Sequence, residues 1–227
     1  MHHAEITINF PAAVRGVSLS HTAVHDVDLA IKTALTEAFG GPAVRPWSVL
    51  RQNGPDVTIV GYSAQDASAL RERLSLATPA LQNAFSDIAS TPVVVRAEQQ
   101  VRFSVRLSPT VNVTRRGEKD AFLISPPGSI RELIYADYLT SRLRGATVNI
   151  VRMERFRLDK VTRPHRGDRA PPSGYASWIV PDAVLEGVLT IDDPAAFTET
   201  LAAGVGRQRA YGRGFIRLEP LTLERAA

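Results

Sequence analysis

The chain has 227 residues, 44% of them hydrophobic, and 27 Lys and Arg against 23 Asp and Glu leave a formal net charge of +4. That length can bury one large core or two smaller ones, and two units of about 100 residues each are expected. The absence of cysteine excludes disulfides, thiolate catalysis and Cys-ligated zinc. No apolar run approaches the roughly 20 residues that span a bilayer, and Met1-His2-His3-Ala4-Glu5 lacks the apolar core of a signal peptide, so a cytoplasmic location is expected.

From the start, Ala4 to Phe10 alternates as a half-buried strand with Ile6, Ile8 and Phe10 on one face. A loop through Pro11 and Gly16 follows. Asp26 or Asp28 is placed to cap a helix that carries an apolar stripe of Ile31, Leu35 and Ala38 and stops at Gly40-Gly41-Pro42. Trp47 to Arg51 and Asp56 to Tyr62 make a hairpin around Asn53-Gly54. Ser63 to Asp66 opens a second helix with Leu70, Leu74 and Leu76, and Val93-Val94-Val95 begins another strand. The order β-α-β-β-α-β is that of a ferredoxin-like unit.

The second half repeats the order. Val101 to Val113 alternates, Ala121 to Ile124 is a short apolar run, and Ser129-Ile130-Arg131-Glu132 reads as a capping-box start to a helix ending near Gly145. Val148 to Leu158 and Ala183 to Ile191 flank a long basic insertion, Asp193-Pro194 opens a helix through Leu201, and Phe215 to Leu221 closes the chain as a strand. The predicted fold class is therefore α+β: two tandem ferredoxin-like units, residues 1–94 and 95–227, with a basic hairpin insertion and a glycine-rich loop near the end.

Two basic regions point to a polyanion. In the insertion, Arg152, Arg155, Arg157, Lys160, Arg163, His165, Arg166 and Arg169 recur along two strand arms joined by a polar tip at Gly167-Asp168. Arg155 and Arg157 share a face, with Phe156 on the other. In the loop, Gly204, Gly206, Gly212 and Gly214 interleave with Arg207, Arg209 and Arg213. Glycine amides can approach phosphates closely while guanidiniums supply charge and forked hydrogen bonds. The ordinary alternatives are a solvated charged loop for the first region and a helix C-cap with a tight turn for the second.

Leu185 to Ile191, the Asp193-Pro194 helix start, Gly204-Val205-Gly206, Gly212-Arg213-Gly214 and Leu218-Glu219-Pro220-Leu221 resemble the carboxyl-terminal signature of the CasE family. Val101-Arg102-Phe103-Ser104-Val105-Arg106-Leu107-Ser108-Pro109 resembles that family's Phe-Arg-Leu-Arg-Ala-Asn-Pro segment, with Ser108 where Asn is usual. CasE proteins are CRISPR repeat-processing endoribonucleases of type I-E effector complexes, some of which serve type IV systems. The resemblance implies tandem ferredoxin-like units and binding of the CRISPR repeat stem-loop. It further implies metal-independent, cofactor-free cleavage at the 3′ base of the stem, by attack of a ribose 2′-hydroxyl that leaves a cyclic phosphate. The implied partners are the crRNA and the backbone and other subunits of the effector complex.

In the family a histidine on the first long helix, within a Tyr-x-x-His-x-x-Leu-Trp-like run, carries much of the chemistry. An ungapped match sets Lys32 at that position and Leu29 where tyrosine is usual. His25 precedes Lys32 by seven residues, which a continuous helix would convert into two turns on one face, a little over 10 Å apart. His25 and Lys32 are therefore the candidate catalytic residues, His25 as a displaced histidine and Lys32 as a stabiliser of phosphorane charge. His21 has a weaker claim, and the adjacent His2 and His3 lack a third ligand for a metal. A rival reading is a crRNA-hairpin-binding subunit that does not cleave. A second rival, an oligomeric ferredoxin-like protein of small-molecule metabolism, is disfavoured by the arginine-rich insertion.

Overall fold

The computed structural model describes residues 1–19, 25–115, 118–123, 130–164 and 174–221. His21, His165, Arg166 and Arg169, together with Ser129 and Ile124, lie outside the described residues.

The first strand, β1 (His2–Asn9), buries Ala4, Ile6 and Ile8 in strict alternation. It ends one residue earlier than its pattern suggests, because Asn9 accepts a hydrogen bond from the Ala12 amide and starts a short helix, α1 (Phe10–Gly16). Pro11 reads as a breaker in sequence, yet in a first helical turn its missing N–H costs nothing. The next helix, α2 (Val27–Phe39), is capped by Asp26, whose Oδ1 accepts from the Leu29 amide, and it buries the expected stripe of Ile31, Leu35 and Ala38.

The hairpin of β2 (Trp47–Asn53) and β3 (Asp56–Ser63) turns at Gly54, which adopts a φ of 58°. Asp66 caps α3 (Ala67–Ser75), which buries Leu70 and Leu74, whereas Leu76 lies past its end and is 85% exposed. A further turn, α4 (Pro79–Gln82), leads to β4 (Phe85–Pro92). The fourth strand therefore precedes the Val93-Val94-Val95 run, because Ile88 is the residue that meets Ile6 of β1. Val93 and Val95 instead pack against the core of the second half.

In that half come β5 (Gln100–Leu107), the hairpin β6 (Thr110–Arg115) and β7 (Glu118–Leu123), then α5 (Arg131–Thr140). The long alternating run is thus cut at Ser108-Pro109. Helix α5 has Ile130 at its N-cap position and so no side-chain cap, and Glu132 is used differently from the expected capping box: its Oε2 accepts from the Met153 amide. The basic insertion is a long antiparallel arm of β8 (Ala146–Pro164) and β9 (Tyr175–Ile191), followed by α6 (Pro194–Ala203) and β10 (Ile216–Pro220).

The sheets run β2-β3-β1-β4 and β10-β5-β9-β8, antiparallel at every pairing. Each thus carries in its centre the first and third of its own four strands, counted along the chain. Strand β3 is buried on both faces: Val57 and Ile59 enter the first core, while Val60 and Tyr62 join the second. Its Tyr62 hydroxyl donates to the Ile216 carbonyl at 2.7 Å, and burial pushes that phenol well above its usual pKa. The two sheets therefore meet along one seam, and the candidate site opens beside it.

Candidate nucleic-acid interface

A simple strand alternation would set Arg152 on the opposite face from Arg155 and Arg157. The register of β8 against β9 slips between Met153 and Arg155, so Arg152 stands opposite Glu186, Arg155 opposite Val184 and Arg157 opposite Asp182. Those three β9 residues alternate on one face, and the bulge therefore turns all three arginines the same way. Arg102 and Arg106 of β5 oppose Val188 and Val184 across the sheet, and Arg217 of β10 opposes Ser104. One sheet face thus carries six arginines. Arg152, Arg155 and Arg157 keep 74%, 50% and 52% of their side chains exposed. Phe156 points the other way, partly buried beneath the Arg131 guanidinium, which lies 3.9 Å from its ring centroid.

This face forms the floor of a cleft of 570 Å³, whose other wall comes from β2, β3 and the start of α2. His25, Leu50, Gln52 and Val60 line that wall, facing Ser104, Arg106, Arg155, Arg157, Lys160 and Arg217.

Beneath the cleft three arginines meet three aspartates. Arg106 donates to Asp182 at 2.6 Å, to Asp28 at 3.2 Å and to Asp159 at 3.3 Å. Arg213, fully buried, donates to Asp28 at 2.9 Å and to Asp159 at 2.8 Å. Arg157 donates to Asp182 at 2.8 Å, and the Asp182 side chain is wholly enclosed. Burial alone would raise the Asp182 carboxyl, but the hydrogen bond and charge of Arg106, helped by Arg213 and Arg157, outweigh it and hold its pKa below the usual range. Burial likewise disfavours the Arg106 cation, and Asp28 and Asp182 more than reverse that. The cluster ties α2, β5, β8, β9 and the glycine-rich loop together.

A second tie lies next to His25. Asp26 accepts from the Leu29 amide through Oδ1 and, through Oδ2, from the Thr162 amide and from Arg163 Nη1 at 2.9 Å. His25 is exposed, outside the helix, immediately before this anchored cap. The continuous helix that would put His25 and Lys32 on one face therefore does not form. His25 lines the main cleft, whereas Lys32 borders a separate cavity of 230 Å³ with Leu35, Thr36, Trp47 and Ala210.

The glycine-rich loop also divides. Gly204, Gly206, Gly212 and Gly214 all adopt positive φ. At Gly214 a Cβ would fall 2.2 Å from the Val205 carbonyl oxygen, and at Gly212 one would fall 3.0 Å from the Trp47 ring. These glycines let the loop close against α2 and β2, where Trp47 Nε1 donates to the Ala210 carbonyl at 3.1 Å. Arg213 is enclosed in the cluster and Arg209 caps the end of α6 through the Ala203 and Gly204 carbonyls. Arg163 is also enclosed, stacked 3.7 Å from the centroid of the Tyr211 ring. Arg207 is exposed. Arg163 and Arg213, expected from the sequence to contact RNA, are enclosed here beside their carboxylate partners Asp26, Asp28 and Asp159.

Sequence reading missed Arg106, Asp28, Asp159 and Asp182 as a unit. A signal was present: Asp182 is a lone charge in the apolar stretch Val180-Pro181-Asp182-Ala183-Val184, and a lone charge on a buried strand needs a cationic partner. Among the described residues no group of three or more His, Asp or Glu side chains is placed to hold a metal ion.

Two antiparallel sheets meeting over an arginine floor, with a long paired arm rising from one of them, define a two-sheet α+β protein with a surface suited to a polyanion. The chain belongs to the CRISPR associated protein family, whose sequence model matches residues 5–220. It is similar to the CRISPR endoribonuclease Cse3 bound to a 19-nucleotide RNA, at 20% identity and a TM-score of 0.64, covering 97% of this chain and 100% of that one. Cas6e from Escherichia coli K-12 is 19% identical with a TM-score of 0.61, over 97% of this chain and 100% of that one. Cse3 from Thermus thermophilus, bound to an RNA representing a pre-cleavage complex, is 19% identical with a TM-score of 0.59, over 96% and 98%. No match was found among curated protein sequences. Family and fold together bear out the resemblance to CasE.

Proposed function

We propose that this protein is a metal-independent endoribonuclease. In this reading it binds the stem-loop of a CRISPR repeat RNA, cuts the precursor by 2′-hydroxyl attack, and stays bound to the product as a subunit of a type I-E or type IV effector complex. Each half is a ferredoxin-like unit, divided near residues 94–95. The observation that carries the reading is the cleft itself, in which His25 faces Arg155, Arg157 and Lys160. Solved structures of similar proteins bound to RNA, and another described as a CRISPR RNA-guided surveillance complex, support the choice of ligand and partners.

The reaction needs a proton acceptor for the 2′-hydroxyl, positive charge around the phosphorane and a proton for the departing 5′ oxygen. His25 is the side chain placed in the cleft to exchange protons at either step, since an imidazole offers both an accepting and a donating ring nitrogen. Arg157 and Lys160 supply charge, with Arg157 held by Asp182. Arg152 and Arg155 grip phosphates along the stem, because the deep A-form major groove offers little else to read. Lys32, in its separate cavity, is the weaker candidate for the reacting phosphate.

Single-turnover cleavage of a cognate repeat hairpin in EDTA tests this. His25→Ala is expected to slow cleavage at least 100-fold with binding retained, and Lys32→Ala to change it little. A requirement for Mg²⁺ sinks the mechanism, and the reverse ranking of the two variants moves the site to Lys32. A non-cleaving crRNA-binding subunit is the second reading, favoured by Lys32 standing where the family's histidine is usual. Tight binding with no cleavage in wild type would establish it.

A further inference from the structure

A second cavity, of 820 Å³, lies between the outer part of β9 and the glycine-rich loop, and shares no lining residue with the main cleft. Four arginines, Arg45, Arg163, Arg207 and Arg209, line it without a single carboxylate. Arg163 and Arg209 are held by the protein itself, as described above. Arg45 and Arg207 are exposed and have no ion pair among the described residues. Beside them Trp178 is 44% exposed and Ile179 is 65% exposed. A half-exposed tryptophan is among the more informative surface features, because its large apolar face gains most from being covered. Trp178 makes no ring contact with another aromatic among the described residues, whereas Tyr211 nearby is already stacked on Arg163.

An open indole beside free guanidiniums has the chemistry of a single-strand platform: the ring takes a base face and the cations take the flanking phosphates. Paired bases hide their faces within the helix, so a duplex stem cannot use it. We infer that the Trp178 cavity is a second RNA site, which takes one or two unpaired nucleotides flanking the stem held in the main cleft. Trp178 is the stacking platform, and Arg45 and Arg207 are the phosphate contacts. The inference rests on the reading of the cleft as a hairpin-RNA site only for the source of those nucleotides.

The chain has two tryptophans, and Trp47 is 1% exposed, so quenching of the solvent-exposed emission reports Trp178. Wild type, Trp178→Leu and Trp178→Phe are titrated with three probes: a hexa-adenylate strand, a blunt repeat hairpin, and the same hairpin with unpaired flanks. Quenching by the hexa-adenylate and the flanked hairpin, but not by the blunt one, is expected. Trp178→Leu should weaken the flanked hairpin on the order of 10- to 100-fold, leave the blunt hairpin unchanged, and be largely rescued by Trp178→Phe. Arg207→Ala should lower the salt dependence for the flanked probe by about one counterion.

Equal losses on blunt and flanked hairpins would overturn the inference, since they would mean that Trp178 supports only the arm. So would binding of both hairpins without any advantage from the flanks, and in that case the cleft reading survives. If neither hairpin binds but hexa-adenylate still quenches Trp178, the cleft reading fails and the platform stands. Quenching by a protein or by anionic vesicles, with none by hexa-adenylate, would reassign the surface and overturn the inference.

Discussion

Asparagine in place of Asp182 keeps the size of the side chain and removes one charge from a cluster whose hydrogen-bonded members balance in the wild type, Arg106, Arg157 and Arg213 against Asp28, Asp159 and Asp182, with the half-exposed Arg155 also 3.7 Å from Asp182. Asp182 has no exposed side-chain surface, and Arg106 is 14% and Arg213 0% exposed. Water therefore cannot compensate, and the variant holds one uncancelled positive charge. Removing one partner of a buried ion pair costs about 3–5 kcal/mol. The exposed half of Arg157 lets that side chain relax, which favours the lower end. For a chain of this size each kcal/mol moves the Tm by about 2–4 °C, so a fall of about 6–12 °C is expected for a loss of about 3 kcal/mol. Chemical denaturation at pH 7, with the m-value checked for constancy, measures the loss directly.

The pH dependence gives a second reading of the same variant. Because the folded-state pKa of Asp182 is depressed, its contribution is complete above the unfolded value of 3.8 and is lost as pH falls through the folded value. The gap between wild type and Asp182→Asn should therefore close below about pH 4. A loss under about 1 kcal/mol at pH 7, or a gap that persists unchanged into strong acid, would refute the view that the charge balance holds the two sheets together.

Other outcomes follow from the same geometry. Gly187→Ala places a Cβ 1.9 Å from the Ile150 carbonyl oxygen beside the β8 irregularity, and should cost about 2–3 kcal/mol in denaturant melts. Gly54→Ala has open space around it at a φ of 58° and should cost about 1–2 kcal/mol; equal losses would undercut the close-approach argument. Asp26→Asn retains a good helix cap but strips Arg163 of its buried partner. A stability loss of about 3 kcal/mol and slower single-turnover cleavage are expected, and wild-type behaviour in both would dismiss the tie. Arg155→Ala should weaken hairpin binding uniformly across sequences and reduce the slope of log K against log salt by about one; a sequence-selective loss would point to base contact instead.

Most of the elements were legible along the chain because their causes are local. Alternation set β1 and β5, Asn53-Gly54 set the first hairpin, Asp193-Pro194 set the start of α6, and Asp26 was one of two named caps for α2. The two differences have separate causes. Pro11 opens a helix because a first helical turn does not need its N–H, and the strand before the junction is drawn from Phe85–Pro92 rather than from the valine run because pairing with β1 outweighs apolar richness.

The site was legible in its residue types and not in its arrangement. Arg152 shares a face with Arg155 and Arg157 through a slip that exists only in the pairing of β8 with β9. Within one loop, Arg207 faces solvent and Arg213 is sealed under the cleft, although both stand beside glycines in sequence. His25 and Lys32 are parted because Asp26 caps the helix between them. By itself, then, the sequence determined most of the order of elements, the arginine supply and the family, all of which rest on patterns spanning a few residues. Tertiary structure decided which charges are neutralised and which stay exposed, since that depends on where Asp28, Asp159 and Asp182 arrive from distant strands and helices to meet Arg106 and Arg213.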